Sequence, residues 1–380
     1  MQLPLLRPVV DRAGPWATVY TEIPHTTEDA AKQQELIAEA TGAKLLALGA
    51  DEATSGALRD ALAAPQQRAG EARGSHALFA TEGRVVLDVP LPGPPPAPLV
   101  TWGPVPRITP LLAALGQSPL CLVVRLDRHG ADFCVTDGRT GHEAGQVEGA
   151  DRPLHRTASA DWSETHFQAK VENTWERNAQ DIADAIADAY EKCGAEAVLL
   201  VGDTRERRAV HDRLPEPLRS VTHESEHGGR ADGADTDLVE RDVAQVCAGH
   251  EHDRVTAATE RFRTGADPVG KPAPDTAAGI PALVEAAREH RIGTLLVDPR
   301  GADAGREVWV GSRSDQLGVR ASELTYLGEP HPAAARADDA LIRSAAATGA
   351  DIVVVPDPEQ APAGGLGAIL RWSDEAPPRS

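Results

Sequence analysis

Residues 197–201, Ala-Val-Leu-Leu-Val, form a continuous apolar run directly after a helical stretch over 164–192. So short a run with no polar position reads as a strand covered on both faces. Covering both faces of a sheet requires helices, so this one run already points to an α/β architecture. The pattern recurs downstream, where a helix over 280–291 leads to a strand over 294–298 and a helix over 337–348 leads to a strand over 351–355. Aromatic residues make up only 3% of a chain that is 41% hydrophobic, so the cores must be built from Ala, Val, Leu and Ile.

A chain of 380 residues suits two or three domains. The first segment, 1–116, shows strand-like alternation over 16–23, then a helix from about 28 to 48 that Thr26 or Thr27 can cap, and a second helix over 55–63. Two strands follow over 75–80 and 85–89, then a polyproline-like stretch over 91–98 that Trp102-Gly103-Pro104 and Pro106 continue along the surface. The second segment, 117–235, opens with strands over 120–127, 131–136 and 141–147, the first two joined by an Asp127-Arg128-His129-Gly130 turn. With the strand at 197–201, a helix over 205–213 and an edge strand over 220–224, it reads as a mixed α/β sheet. The third segment, 236–380, opens with a helix over 237–263, and its helix–strand units imply a three-layer α/β/α domain.

Net charge is −20, spread along the chain, and no Lys/Arg-rich run marks a patch for nucleic acid or membrane. A simple DNA-binding protein is therefore not expected, because phosphate neutralisation supplies most of such affinity. A few arginines on a folded surface would still allow RNA contact. No basic-then-apolar leader or bilayer-length apolar run is seen, so the expectation is a soluble, cytoplasmic protein without a membrane partner.

Several motifs test specific chemistry. Cys121, Cys134, Cys193 and Cys247 lie far apart in sequence, and three of them sit in apolar surroundings as small hydrophobes. Gly265-Ala-Asp-Pro-Val-Gly270-Lys271 imitates a phosphate-binding loop, but Pro272 replaces the hydroxyl that would hold magnesium, and a helix precedes it where a strand should. Cys247, His250 and His252, with His223 and His227 upstream, have metal-ligand types, yet 247 and 252 do not share a helix face. No metal or cofactor is expected, and no Gly-x-Ser-x-Gly nucleophile signature appears. Arg205-Glu206-Arg207-Arg208 follows the strand at 197–201. It reads either as a solvated helix start or as an anion contact through Arg205, Arg207 and Arg208 at the carboxyl edge of the sheet.

The loop over 146–166 stands apart. An irregular polar stretch of this length inside a compact domain is usually functional or disordered. It carries Arg152, His155, Arg156, Asp161 and Trp162, and runs into His166 and Gln168 at the start of the long helix.

The order of these parts resembles the archaeal and eukaryotic class-1 peptide release factors and the ribosome-rescue factor Pelota. Ser163-Glu164-Thr165-His166-Phe167 falls in the register of the release-factor helix entry, and Ala160-Asp161-Trp162 then occupies the Gly-Gly-Gln slot. The chain is more similar to an actinobacterial release-factor-like branch that includes the hibernation factor Balon. Gly14-Pro15-Trp16, Thr27-Glu28-Asp29-Ala30-Ala31, Trp102-Gly103-Pro104-x-Pro106 with Pro110-Leu111-Leu112, Asp338-Asp339-x-Leu341 and Gly365-Leu366-Gly367-Ala368-Ile369-Leu370-Arg371-Trp372 carry this likeness together with the loop and helix.

The resemblance implies a first domain at the decoding site, a second reaching the peptidyl-transferase centre, and a third similar to kink-turn-binding ribosomal proteins. It also implies ribosomal RNA at those centres as partner, with elongation factor EF-Tu nearby. In the family the two glycines permit close approach to the ester. Ala160 and Asp161 add side chains there, and Asp161 places negative charge where an oxyanion would develop. The expectation is therefore a factor without a catalytic residue that fills the A site of idle or stressed ribosomes. Trp162 would stack on a base, with Arg152, His155 and Arg156 on phosphates. Alternatives remain: Trp162 as a hydrophobic staple, a tRNA-directed hydrolase or nuclease using other tip residues, or a protein scaffold unrelated to ribosomes.

Overall fold

Strand Trp16–Glu22 is buried along all but its last residue, which sets its place in the middle of a sheet with both faces covered. It pairs antiparallel with Ser75–Thr81 on one side and Leu99–Gly103 on the other, and Arg84–Pro90 completes four strands. Side chains alternate between faces with period two. Ala17, Val19, Leu78 and Ala80 meet Ala38, Leu45, Leu58 and Leu62 of helices Ala30–Ala47 and Glu52–Ala63. Trp16, Tyr20, Ala77 and Phe79 face the opposite way, into a core shared with the last third of the chain. Tyr20 and Phe79 meet there edge to face, with ring centroids 6.1 Å apart.

The computed structural model describes residues 4–23, 30–64, 74–95, 97–116, 119–138, 141–148, 164–230, 236–265 and 275–372, with side chains of the long helix from residue 176 onward. By contacts these residues form two units. Residues 1–117 and 254–380 make one, and 118–253 make the other. The first expected segment thus packs with the last from residue 254 onward, while residues 236–253 of the last segment fall with the middle one.

In the last segment, strands Thr276–Ala278, Leu366–Leu370, Ile292–Val297 and Asp351–Val354 form a second four-stranded sheet, parallel only between Ile292–Val297 and Asp351–Val354. Leu295, Val297, Ile352 and Leu366 pack on helices Ile280–Arg288 and Ala337–Ala347. Leu296, Val353 and Ile369 face Val255 and Phe262 of helix Thr236–Thr264. Helices therefore cover both faces, giving three layers. A small sheet of Leu317–Gly318, Glu307–Val310 and Ala333–Arg336 lies alongside.

The other unit holds a five-stranded sheet in the order Gly141–Glu148, Gly130–Thr136, Cys121–Leu126, Ala197–Val201, Thr222–Glu224. The first three strands run antiparallel and the last two parallel to Cys121–Leu126 or to each other, so the sheet is mixed. Helices Glu164–Cys193 and Thr204–His211 cover one face, and Val239, Val243 and Cys247 cover the other.

Three sequence expectations change. Residues 99–103 are a strand rather than surface coil, because pairing with Trp16–Tyr20 satisfies their backbone despite the neighbouring prolines. The second helix begins at Glu52, because Asp51 caps it by accepting from Thr54 N at 2.8 Å. Short elements Thr109–Leu115, Glu216–Arg219, Thr276–Ala278, Leu317–Gly318, Ala321–Tyr326 and Ala333–Arg336 go beyond the sequence reading. The possible cap at Thr26 or Thr27 and residues 266–272 of the phosphate-loop imitation lie outside the described residues.

One polar cluster is buried inside the shared body. Asp339, fully buried in the first turn of Ala337–Ala347, accepts on Oδ1 from Ile108 N (2.9 Å), Thr109 N (3.0 Å) and Thr109 Oγ1 (2.9 Å). Its Oδ2 pairs with Arg107 Nη1. Asp338, equally buried, is held by Arg336 Nη2 at 2.8 Å and lies 3.5 Å from Arg107 Nη1. Tyr20 OH donates to Arg107 O at 2.6 Å. Burial, and then the charge of Asp338, push the Asp339 carboxyl up to about 6 against the pull of Arg107.

Asp339→Ala removes the acceptor of three donors and leaves Arg107 undercompensated, so it should cost about 3 kcal/mol in urea unfolding. Because the folded value lies above the unfolded one, the Asp339 titration contributes stability that is full below the unfolded value and is lost as pH rises through about 6. The stability difference between wild type and Asp339→Asn should therefore move in favour of wild type as pH falls from 7 to 4. A pH-independent difference in chemical denaturation would contradict the assignment.

Candidate functional site

Three chain segments leave the five-stranded sheet at one end. The register pairs Arg125 with Val201, Leu126 with Ala131 and Gly130 with Glu148. The turn 127–130, the entry to the loop after Glu148 and the Gly202-Asp203 link before helix Thr204–His211 therefore sit together. The long helix runs the other way, with its last residue, Cys193, two residues before Ala195 and the start of strand Ala197–Val201. It is tied to the sheet end at Asn178, a buried residue whose Nδ2 donates to Arg128 O at 3.1 Å. From Asn178 the helix continues back to Glu164, a rise of about 21 Å at 1.5 Å per residue. Strand Gly141–Glu148 thus ends at the same sheet end that the long helical arm passes at Asn178.

Of the sequence-predicted site residues, Arg152, His155, Arg156, Asp161 and Trp162 lie outside the described residues. His166 and Gln168 stand in the first turns of the helix, with their side chains likewise outside the description.

The base of the arm is a network of ion pairs. Asp127 Oδ1 accepts from His129 N at 2.7 Å and Gly130 N at 2.9 Å, which closes the turn. Arg230 grips Asp132 with Nε at 2.9 Å and Nη2 at 3.0 Å and reaches Asp127 at 3.4 Å. The hydrogen bonds to Asp132 hold the Arg230 guanidinium above its ordinary value. Arg128 Nε donates to buried Glu206 at 2.8 Å. Sequence reasoning missed Arg230, Asp132 and Asn178, since each acts through a partner between 50 and 98 residues away.

The three arginines of the predicted anion contact do not converge. Arg207 is buried, with Nη2 bonded to Thr204 Oγ1 at 3.2 Å and Nε 3.7 Å from Glu224, while its Nε and Nη1 make no hydrogen bond. Arg205 and Arg208, three residues apart, lie exposed on the outer side of the helix.

No activated nucleophile emerges among the described residues. Ser225 donates its hydroxyl to Asp242 Oδ2, and His227 Nδ1 lies 3.1 Å from that oxygen. The hydroxyl faces a carboxylate held below its ordinary value rather than an imidazole, and so weak a base does not activate a serine hydroxyl. These contacts fasten the segment after strand Thr222–Glu224 to helix Thr236–Thr264. The free cysteines Cys121, Cys134 and Cys247, far apart in sequence, meet on one sheet face. Burial pushes the Cys121 thiol up to about 12 and raises the other two, which suits packing rather than reactivity. Cys247 is covered, His250 half-buried and His252 exposed, and no group of three His, Cys, Asp or Glu could hold a metal among the described residues.

Two glycines let the chains pass at the sheet end. A Cβ on Gly130 would stand 2.1 Å from Val147 O, and one on Gly202 would stand 2.5 Å from Leu126 O. Gly130→Ala should push strand Gly141–Glu148 away from its neighbour at the loop entry. The expected cost is about 1–3 kcal/mol, read as a lowered urea midpoint. Hydrogen exchange should localise the loss to residues 130–136 and 141–148.

Residues 120–267 match the family model of bacterial archaeo-eukaryotic release factor family 2. An uncharacterised protein of Mycobacterium tuberculosis strain H37Rv is 27% identical over 369 residues, covering 97% of this chain and 96% of the relative. Among solved structures, the archaeal translation termination factor aRF1 aligns over 97% of this chain and 96% of its own, at 15% identity and a TM-score of 0.25. Archaeoglobus fulgidus Pelota aligns over 79% and 80%, at 12% identity and a TM-score of 0.32. Ribosome-bound archaeal Pelota, in a structure with ABCE1, aligns over 97% and 93%, at 11% identity and a TM-score of 0.41. Among the described residues, no helix is long and apolar enough to cross a membrane. The matched region holds the five-stranded sheet and the long helix Glu164–Cys193, and over residues 120–267 the chain is similar to bacterial archaeo-eukaryotic release factor family 2.

Proposed function

We propose that the protein is a non-catalytic ribosome-binding factor that occupies the A site of idle or stressed ribosomes. The family match over residues 120–267 supports a ribosome-associated role. The observation that carries the finer reading is the sequence Ala160-Asp161-Trp162 where the release-factor resemblance puts Gly-Gly-Gln, directly before, in sequence, a long helix that is fixed to the sheet through Asn178. Two added side chains, one of them acidic, oppose close approach to an ester and the build-up of an oxyanion.

In this role Trp162 stacks on an exposed base of ribosomal RNA near the peptidyl-transferase centre. Arg152, His155 and Arg156 bond phosphates, and Asp161, His166 and Gln168 complete the contact. Arg205 and Arg208, exposed at the base of the arm, add an anion contact. The segment 1–116 lies towards the decoding centre, and EF-Tu is the candidate delivery partner.

The purified protein should co-sediment with ribosomes from stationary-phase cells, and binding should weaken as salt is raised. Trp162→Ala should lower the affinity about tenfold, in line with a lost stacking contact of 1–3 kcal/mol. Incubation with ribosomes carrying peptidyl-tRNA should leave the ester intact. Failure to co-sediment would end the proposal. Peptide or CCA release that Trp162→Ala or His166→Ala abolishes would replace it with a tRNA-directed hydrolase or nuclease.

A further inference from the structure

A cavity of about 890 Å³ opens within the unit formed by residues 1–117 and 254–380. Part of its lining, Val354, Pro299, Arg300 and Pro356, lies at or just beyond the carboxyl ends of the two parallel neighbours Ile292–Val297 and Asp351–Val354. In open α/β sheets the space beyond the carboxyl ends of parallel strands is where ligands settle. The volume lies within the range of small-molecule sites, roughly 300–1,000 Å³.

The lining has two distinct chemistries. Prolines 94, 95, 98, 110, 299 and 356 present rigid apolar faces, and Tyr20 adds its ring. Such faces pack flat against aromatic rings, as proline-rich segments do in aromatic grooves, and they lose little freedom on doing so. Charge is confined to Arg107 and Arg300, and no acidic residue lines the cavity among the described residues. That is unusual for a chain with 58 acidic against 38 basic residues. The Arg107 charge is compensated from behind by Asp338 and Asp339. Arg300 is different: its side chain is 65% exposed, with one Nη2 contact to Pro356 O and Nε 3.7 Å from Asp298. A guanidinium has five N–H donors, so Arg300 retains donors for an anion at the cavity mouth.

We propose that this cavity binds a small organic anion with a flat ring, the ring between the proline faces and the anionic group on Arg300. Two sources share this chemistry, a nucleoside monophosphate and an aromatic carboxylate. Calorimetric titration of the full chain with adenosine 5′-monophosphate and, separately, with indole-3-carboxylate distinguishes them, the tighter one giving the class. Adenosine, which lacks the anion, and inorganic phosphate, which lacks the ring, should each bind at least about tenfold more weakly than the better ring anion. Arg300→Glu should weaken that anion by about tenfold or more, and Ala113→Trp, at an exposed wall position, should block it by filling the space. Arg300→Glu alters a largely exposed side chain, so its unfolding midpoint should match wild type and its loss of binding should report the site. The proposal falls if neither ring anion binds the full chain, if phosphate alone binds as tightly, or if Arg300→Glu leaves the affinity unchanged.

Discussion

Asp339 is the constraint on which the larger unit depends. A carboxylate taken wholly out of water costs several kcal/mol unless its lone pairs are filled. Here they are filled from residues 107–109, about 230 positions earlier in the chain. Helix Thr109–Leu115 has no side-chain cap of its own at Ile108, so Asp339 supplies from afar the acceptor that its first N–H groups need. One carboxylate thereby closes the start of a helix in the first segment while sitting in the first turn of a helix in the last. Trp16, Tyr20 and Phe79 share one apolar core with Leu283, Leu341 and Ile342. Apolar packing alone tolerates many arrangements, whereas a buried, hydrogen-bonded charge tolerates few.

This pairing makes the middle of the chain an insertion. Residues 118–253 leave the first body and form their own sheet and core, and the chain returns along helix Thr236–Thr264. That helix serves both units: Val239, Val243 and Cys247 belong to one core, and Val255 and Phe262 to the other. Its solvated, charge-rich sequence reads as one long helix, but nothing in its periodicity says that its two halves bury against different sheets.

What the sequence could reveal follows from how far each signal reaches along the chain. The run at 197–201 announced a buried strand because its burial depends only on its own residues, and the structure places it there with every position covered. The long helices were visible for the same reason. Strand Leu99–Gly103 was hidden, because what makes it a strand is Trp16–Tyr20, some eighty residues away. Arg207 looked like part of an exposed basic cluster and is buried against Glu224, since the strand carrying Glu224 folds back over it. The meeting of Cys121, Cys134 and Cys247 and the grip of Arg230 on Asp132 are likewise properties of pairing between distant segments. Asp51 is an exception: a helix-capping acid just before Glu52 was available in the sequence, and an earlier helix start could have been read from it.

The charge of the chain presents the hardest test of a ribosomal role, since a net −20 disfavours a phosphate surface. The geometry of the arm bears on this. At its base, Arg128, Arg207 and Arg230 face Glu206, Glu224, Asp127 and Asp132, so their positive charge is spent internally and the base offers rigidity rather than attraction. The helix start at Glu164, which adjoins the loop, lies about 21 Å along the helix from Asn178. Screening at physiological ionic strength acts over about 8 Å, so charges at the sheet end act only weakly on a group at the helix start. In the proposed role, Arg152, His155 and Arg156 then meet phosphate on local terms. In that role, Arg152 and Arg156 are balanced in the loop by Asp151 and Asp161, so favourable contact depends on individual side chains meeting their partners, which disfavours non-specific contact along an RNA surface.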